Sequence, residues 1–388
     1  MKKTITTSLF VAAASLSFAD AWTSTLVGGG DSYYTLDSAA NLNYVAGSAS
    51  NPATLTITTG TNGYKGIDGV INWSFSCKNS SGSVASGRDY NAFTTATNFE
   101  FKGTVNMGFD SFVDSKRNDG WNSNTIARYT AQNGSTVKFA DLRSTHNVYN
   151  SSQMYLLGTG ATSFGNFEIA TSKSNLNQFG QMGFVLQYSN LTFSDSAYSS
   201  MIHFYYNSTL TLNGNSKLTS LYARNVADLK SGVVHMNGYS LGVAQQMTTN
   251  SGITTENYMA FDFGKNSDAQ YLAIDKWERK KASDYILIQN MGSNDTLLVM
   301  AYGESGSQPN KVSFQLEDDL SDFIFFEGRG EKGVDYDVIR SLEKTTITLV
   351  DGSTITGYTY YAIPEPSTYA AIFGVLALGF AFYRRKTR

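Results

Sequence analysis

The feature that most constrains this chain is a succession of short segments in which apolar and polar residues alternate, each closed by Gly, Asn, Ser or Asp. They include Thr54-Leu55-Thr56-Ile57-Thr58, Ser135-Thr136-Val137-Lys138-Phe139, Asn166-Phe167-Glu168-Ile169, Asn190-Leu191-Thr192-Phe193, Ser208-Thr209-Leu210-Thr211-Leu212 and Gly232-Val233-Val234-His235-Met236. Side chains change face at every residue of a strand, so such runs mark strands with one buried face. Few stretches carry a helical period. Composition points the same way. Charged residues are 16% of the chain, against about 25% in an ordinary globular protein. Ser, Thr, Asn and Gly fill the gap, and 24 Tyr with 24 Phe are too many aromatics for disorder. The chain is predicted to be all-β.

Phe167, Leu191, Leu210 and Val233 open strands spaced by 24, 19 and 23 residues. Coils of about 20 residues suit a parallel β-solenoid, in which each strand stacks on the same strand of the next coil about 4.8 Å away. Residues 22–260 are therefore expected to form a right-handed parallel β-solenoid, with the repeat discernible between about Ala131 and Met247. The pattern resembles passenger-type (autotransporter-like) and polysaccharide-associated β-helix proteins. A β-sandwich of hairpins would use the same strands and turns and is the alternative. After about Phe261 the texture changes. The charged run from Asp275 to Lys281 predicts a solvated turn or short helix. Continuous apolar runs at Tyr285–Ile288 and Thr296–Met300 predict strands covered on both faces. Lys311–Gln315, Phe323–Phe326, Thr345–Val350 and Thr354–Tyr361 predict more strands. Residues 261–362 are read as a β-rich cap that protects the open end of the solenoid, an aggregation hazard if left bare.

The ends carry a different kind of information. Lys2 and Lys3 precede an uncharged stretch from Ile5 to Phe18, and Ala19-Asp20-Ala21 places small residues where a signal peptidase reads. Residues 1–21 are thus expected to be a signal helix handled by the Sec machinery and signal peptidase. At the other end stand Pro364, Glu365 and Pro366. An apolar segment follows, carried by Tyr369, Ile372, Phe373, Val375, Leu376, Leu378, Phe380 and Phe382, and then a basic stop of Arg384, Arg385, Lys386 and Arg388. The prolines keep the chain extended before the apolar part. That part spans about 22 Å as a helix, against roughly 30 Å of bilayer core, so the transmembrane helix is marginal and is extended by snorkelling arginines. The basic cluster stays on the cytoplasmic side. These three elements in order, residues 363–388, resemble the PEP-CTERM sorting signal of Gram-negative bacteria. The resemblance implies an exosortase as partner, transient anchoring in the inner membrane, and delivery to the cell surface or the exopolysaccharide matrix.

The formal charge of −3 for the chain includes +1 in residues 1–21 and +3 in residues 364–388, which leaves −7 on the body. An acidic body without a basic patch excludes nucleic-acid binding. Cys77 is the one cysteine, in the alternating run Trp73-Ser74-Phe75-Ser76-Cys77, and reads as a small core residue. His146, His203 and His235 form no metal-ligand spacing, and no nucleophile elbow, phosphate loop or dinucleotide fingerprint is present. No cofactor or metal is expected. Glu317, Asp318, Asp319, Asp322, Asp335 and Asp337 are carboxylates of the kind a glycoside hydrolase pairs, but they read first as solvated acidic turns. In Tyr33-Tyr34, Tyr205-Tyr206 and Tyr360-Tyr361, one ring of each pair is expected to be exposed, where it can stack on a sugar. The sequence thus predicts a non-catalytic surface or matrix protein of adhesin type. A secreted polysaccharide lyase or glycoside hydrolase on the same scaffold is the alternative.

Overall fold

A computed structural model describes residues 34–35, 39–45, 55–56, 65–76, 89–109, 126–144, 153–170, 183–225, 232–251, 258–264, 268–279, 284–304, 320–327, 336–364 and 383. In chain order the early strands are β1 (Tyr34–Thr35), β2 (Ala40–Val45), β3 (Leu55–Thr56), β4 (Gly66–Asp68), β5 (Ile71–Ser76), β6 (Asp89–Thr95), β7 (Phe99–Phe109), β8 (Ile126–Ala131) and β9 (Thr136–Ser144). The middle holds β10 (Gln153–Leu157), β11 (Gly165–Ile169), β12 (Gly183–Gln187), β13 (Ser189–Phe193), β14 (Tyr198–Phe204), β15 (Thr209–Leu212), β16 (Ser216–Asn225), β17 (Val233–His235) and β18 (Leu241–Ser251). The last are β19 (Tyr258–Asp262), β20 (Tyr271–Arg279), β21 (Tyr285–Gln289), β22 (Thr296–Glu304), β23 (Ile324–Glu327), β24 (Tyr336–Thr348) and β25 (Thr354–Pro364).

From β6 to β23 successive strands alternate between two sheets. Sheet A runs β1-β4-β7-β9-β11-β13-β15-β17-β19-β21-β23, with β5 also beside β7 and β2 beside β5. Sheet B runs β24-β25-β22-β20-β18-β16-β14-β12-β10-β8-β6-β3. From β6 to β21 each strand pairs in parallel with the strand two places on, as in β11 with β13 and β12 with β14. A parallel pair needs a crossover connection, and here the crossover is a strand of the other sheet. Among the described residues, consecutive strands form a hairpin ladder only at β24–β25. The hairpin sandwich is therefore not the arrangement. The protein is all-β with two long parallel sheets, a layout compatible with a β-solenoid.

The alternation seen in the sequence is the alternation of burial. β11 and β13 bury every second residue. The buried residues fall in register, so Phe99, Val137, Phe167, Leu191, Leu210, Val234, Phe261 and Ile288 form one column on the inner face of sheet A. Met154, Phe184, Ile202, Leu221, Met247 and Trp277 form a column in sheet B. One core joins them. Register corrects the repeat by one residue: Val233 lies beside Thr209, and the core partner of Leu210 is Val234. A shift of one position exchanges the inner and outer faces. At the N-terminal end the core is aromatic. Trp73 meets Phe101 and Tyr129 edge-on at 5.5 and 5.4 Å, and Phe101 stacks on Phe139 at 4.9 Å. Asn133-Gly134, with φ 55° and 72°, turns the chain between β8 and β9, a conformation these two residues adopt at little cost.

Two expectations are corrected. The stack does not stop near residue 261, because β19–β23 continue the same parallel pairing. The antiparallel part begins at β24. The charged run from Asp275 is not a turn: its described part belongs to β20, with Trp277, Glu278 and Arg279 buried. Pairing on both sides by β18 and β22 holds the run extended. Arg279 places its guanidinium 3.5 Å from the centre of the Phe323 ring.

The β24–β25 hairpin closes sheet B and then folds over its outer face. Tyr360, Thr359 and Tyr358 of β25 pair antiparallel with Leu297, Leu298 and Val299. Nearer the turn, Leu349 and Ile355 pack on Ala273 and Leu298. The seat is small-residue surface: a Cβ on Gly242 would lie 2.7 Å from Leu349 Cδ2. At the tip, Lys217 of β16 forms an ion pair with Asp351 and donates to Ser353 Oγ at 2.8 Å. The hairpin thus reaches across β22, β20 and β18. This explains why adjacent Leu297 and Leu298, which face opposite sides, are both buried.

Candidate functional site

The outer face of sheet B carries most of the chemistry. Arg128, Tyr155, Val185, His203, Tyr222, Thr248 and Glu278 stand side by side on successive strands. The Arg128 guanidinium lies 5.0 Å from the centre of the Tyr155 ring. The His203 ring is 4.9 Å from Tyr205 and 5.7 Å from Tyr222, tilted 50° to each. These three side chains are half-buried.

Glu278 is the buried charge of this stripe, 3% exposed. Gln246 Nε2 donates to its Oε2 at 2.6 Å and to Thr248 Oγ1 at 2.9 Å, while the Thr248 hydroxyl donates to the same carboxylate oxygen at 3.2 Å. Such donors offset the cost of burying a carboxylate. Gln246 reaches it because β18 carries one residue more than each neighbour, a bulge lying between Val243 and Met247. Bulges re-aim side chains in this way. Burial, then the negative charge of Glu278, raises the Tyr222 phenol above its ordinary value, so it stays protonated.

A second group of rings lines the corner that leads from sheet B to sheet A. Tyr188 and Tyr206 stack at 4.6 Å with an interplanar angle of 7°, and Phe164 meets Tyr188 edge-on at 6.4 Å. Tyr188 has φ 50°, whereas the other non-glycine residues with positive φ among the described residues are Asn133, Asn237 and Asn290. The outer face of sheet A is polar instead. Asn190 accepts from Thr209 at 2.9 Å and donates to Asn166 at 2.9 Å. His235 Nδ1 lies 3.2 Å from Asp262 Oδ2. Burial alone would raise the Asp262 carboxyl, but hydrogen bonds from Asn290, His235 and the Gly264 amide outweigh it and hold the group low.

The residues singled out from sequence are distributed as follows. Pro364 is the last residue of β25, opposite Tyr336. Glu365, Pro366, the apolar segment from Tyr369 to Phe382, the basic stop, and Ala19 and Ala21 lie outside the described residues. So do Cys77, His146, Tyr33, Glu317, Asp318, Asp319 and Asp335. Asp322 lies in a short 3-10 turn, Ser321–Phe323. Of the tyrosine pairs, Tyr360 is buried and Tyr361 is 44% exposed, while Tyr205 and Tyr206 are both half-buried. Among the described residues there is no group of three or more His, Cys, Asp or Glu fit to hold a metal ion, and no helix is long and apolar enough to cross a membrane. Sequence reasoning missed Tyr222, Gln246 and Glu278. The one signal was Trp277-Glu278 inside a charged run, where an aromatic residue marks a buried face.

No family model, no curated protein and no solved structure matches this chain.

Proposed function

We propose that this chain is an exported surface or matrix protein without catalytic activity of its own. Its body is a right-handed parallel β-solenoid delivered by Sec export and a PEP-CTERM signal, through an exosortase, to the surface or exopolysaccharide of a Gram-negative cell. One observation carries the reading. β25 runs without interruption into Pro364, the first residue of the sorting motif, and β25 is itself fixed to the body. The motif therefore follows directly on a clamped strand, with the stack as its cargo. The outer faces of that stack bear polar ladders and tyrosines suited to a hydrated polymer. Aromatic rings with a few fixed polar groups are what binding surfaces for uncharged ligands require.

The test is cellular. Deleting residues 364–388 should move the body from the cell surface to the medium or periplasm, followed by surface labelling and fractionation. Unchanged surface retention of the shortened chain would refute the sorting role.

A further inference from the structure

We propose that the patch of sheet B formed by His203, Tyr205, Tyr222 and Gln246 binds a neutral sugar ring of a glycan chain. The inference rests on the surface reading above and gives it a site and a ligand class.

Register builds the patch. Ser220 lies beside Gln246, and Tyr222 beside both His203 and Thr248. Neighbouring strands are about 4.8 Å apart, so the patch is a compact surface of three strands. Its rings differ from those at the corner. Tyr188 and Tyr206 are nearly parallel at 4.6 Å and cover each other's faces. The planes of Tyr205 and Tyr222 are each tilted 50° to that of His203, at 4.9 and 5.7 Å, so neither stacks flat on the imidazole as Tyr188 does on Tyr206. The faces of aromatic rings carry the negative part of the quadrupole and attract the polarised C–H groups that line one side of a sugar ring.

The polar half of the site is fixed from behind. Gln246 commits its amide hydrogens to Glu278 and Thr248. Its Oε1 is then the acceptor pointing away from the carboxylate, and a sugar hydroxyl is the matching donor. Thr248 cannot rotate to compete, because its proton is given to Glu278 and its lone pair to Gln246. Glu278 is thus a positioning residue, too buried to touch a ligand. Charge selects the class. The carboxylate makes the potential negative at Tyr222, which contributes to the raised phenol, and the body carries −7. Lys276, nearby on β20, sits beside Asp275. Phosphate-bearing and uronate polymers are disfavoured by this field, and an uncharged glycan is not.

The experiment uses the full-length chain in detergent. Maltohexaose, cellohexaose and laminarihexaose serve as neutral probes and polygalacturonate as the anionic one, with binding followed by titration calorimetry. At least one neutral hexasaccharide should bind. Tyr222→Ala should weaken it about five- to tenfold, as expected for loss of one stacked ring. Gln246→Ala should weaken it similarly, Tyr222→Phe should stay within about twofold of wild type, and Tyr188→Ala should change nothing. The Phe variant keeps the packing and guards against misreading an unfolded Ala variant. Neutral binding untouched by both Tyr222→Ala and Gln246→Ala, preference for polygalacturonate, or no binding of any neutral probe would overturn the site. Surface labelling separates this from the broader reading. Absent glycan binding with intact surface delivery refutes only the site, and intact binding by a chain retained in the cytosol refutes only the surface role.

Discussion

The two sheets share one core but treat their outer faces differently. Sheet A leaves its face to water and satisfies it locally: Asn166, Asn190 and Thr209 bond along the stack, and Lys138 lies 3.4 Å from Glu100. Sheet B buries part of its outer face under the β24–β25 hairpin, and farther along the same strands it holds a buried carboxylate with its donors. Side-chain ladders on an open face stabilise the stack in small increments, each balanced against water. A covered face adds burial of apolar area, which is worth about 25 cal/mol per Å². The difference teaches that a parallel stack is regular only on its inner side. The outer sides are free to diverge, and the chemistry concentrates on the more irregular one.

This contrast can be broken most strongly at the hairpin. Leu349→Ala removes a side chain only 4% exposed from the small-residue seat. It should cost about 2–5 kcal/mol, read by urea denaturation, with increased binding of an apolar dye as sheet B is uncovered. A cost under about 1 kcal/mol would mean that the hairpin does not hold that face.

A smaller effect is expected on sheet A. Asn190→Ala deletes the donor to Asn166 and the acceptor from Thr209. At a half-buried site this should cost about 0.5–1.5 kcal/mol. Thr192→Ala, on the same open face, should stay within about 0.5 kcal/mol. If Asn190→Ala matched the hairpin variant, the open face would be as important as the covered one.

The least effect, and the most specific, concerns acid. Burial alone would raise the Asp351 carboxyl, yet hydrogen bonds from Lys217 and Ser353 and the Lys217 charge hold it below its ordinary value. A carboxyl lowered on folding contributes stability that is present above the usual carboxylate range, about 4, and is lost as pH falls through the folded value. Asp351→Asn should therefore lower the melting temperature slightly at pH 7 and flatten its fall between about pH 4 and 2. An unchanged acid limb would remove the latch from the account. The same carboxylate, after burial, helps push the Tyr198 phenol of β14 up to about 12.

Much of the fold was legible from residues near one another in sequence. Phe167, Leu191 and Leu210 stand on the buried face where alternation puts them. Val233 did not, because a run of two valines has no parity until a neighbour sets its register. The site was far less legible. Tyr222, Gln246 and Glu278 lie 24 and 32 residues apart, and an extra residue in β18 brings the amide to the acid. No spacing rule encodes a bulge.

The sequence by itself determined the period-2 burial, the turns and the all-β character, since each depends on the steric and solvation preferences of a few adjacent residues. Only the tertiary structure decided which face each strand turns inward, where the parallel stack ends, and that Glu278 is buried beside Gln246 and Thr248. Those choices rest on contacts between residues 19 to 136 positions apart, from Leu191 with Leu210 to Lys217 with Ser353. Their energy exists only once the neighbouring strand is in place.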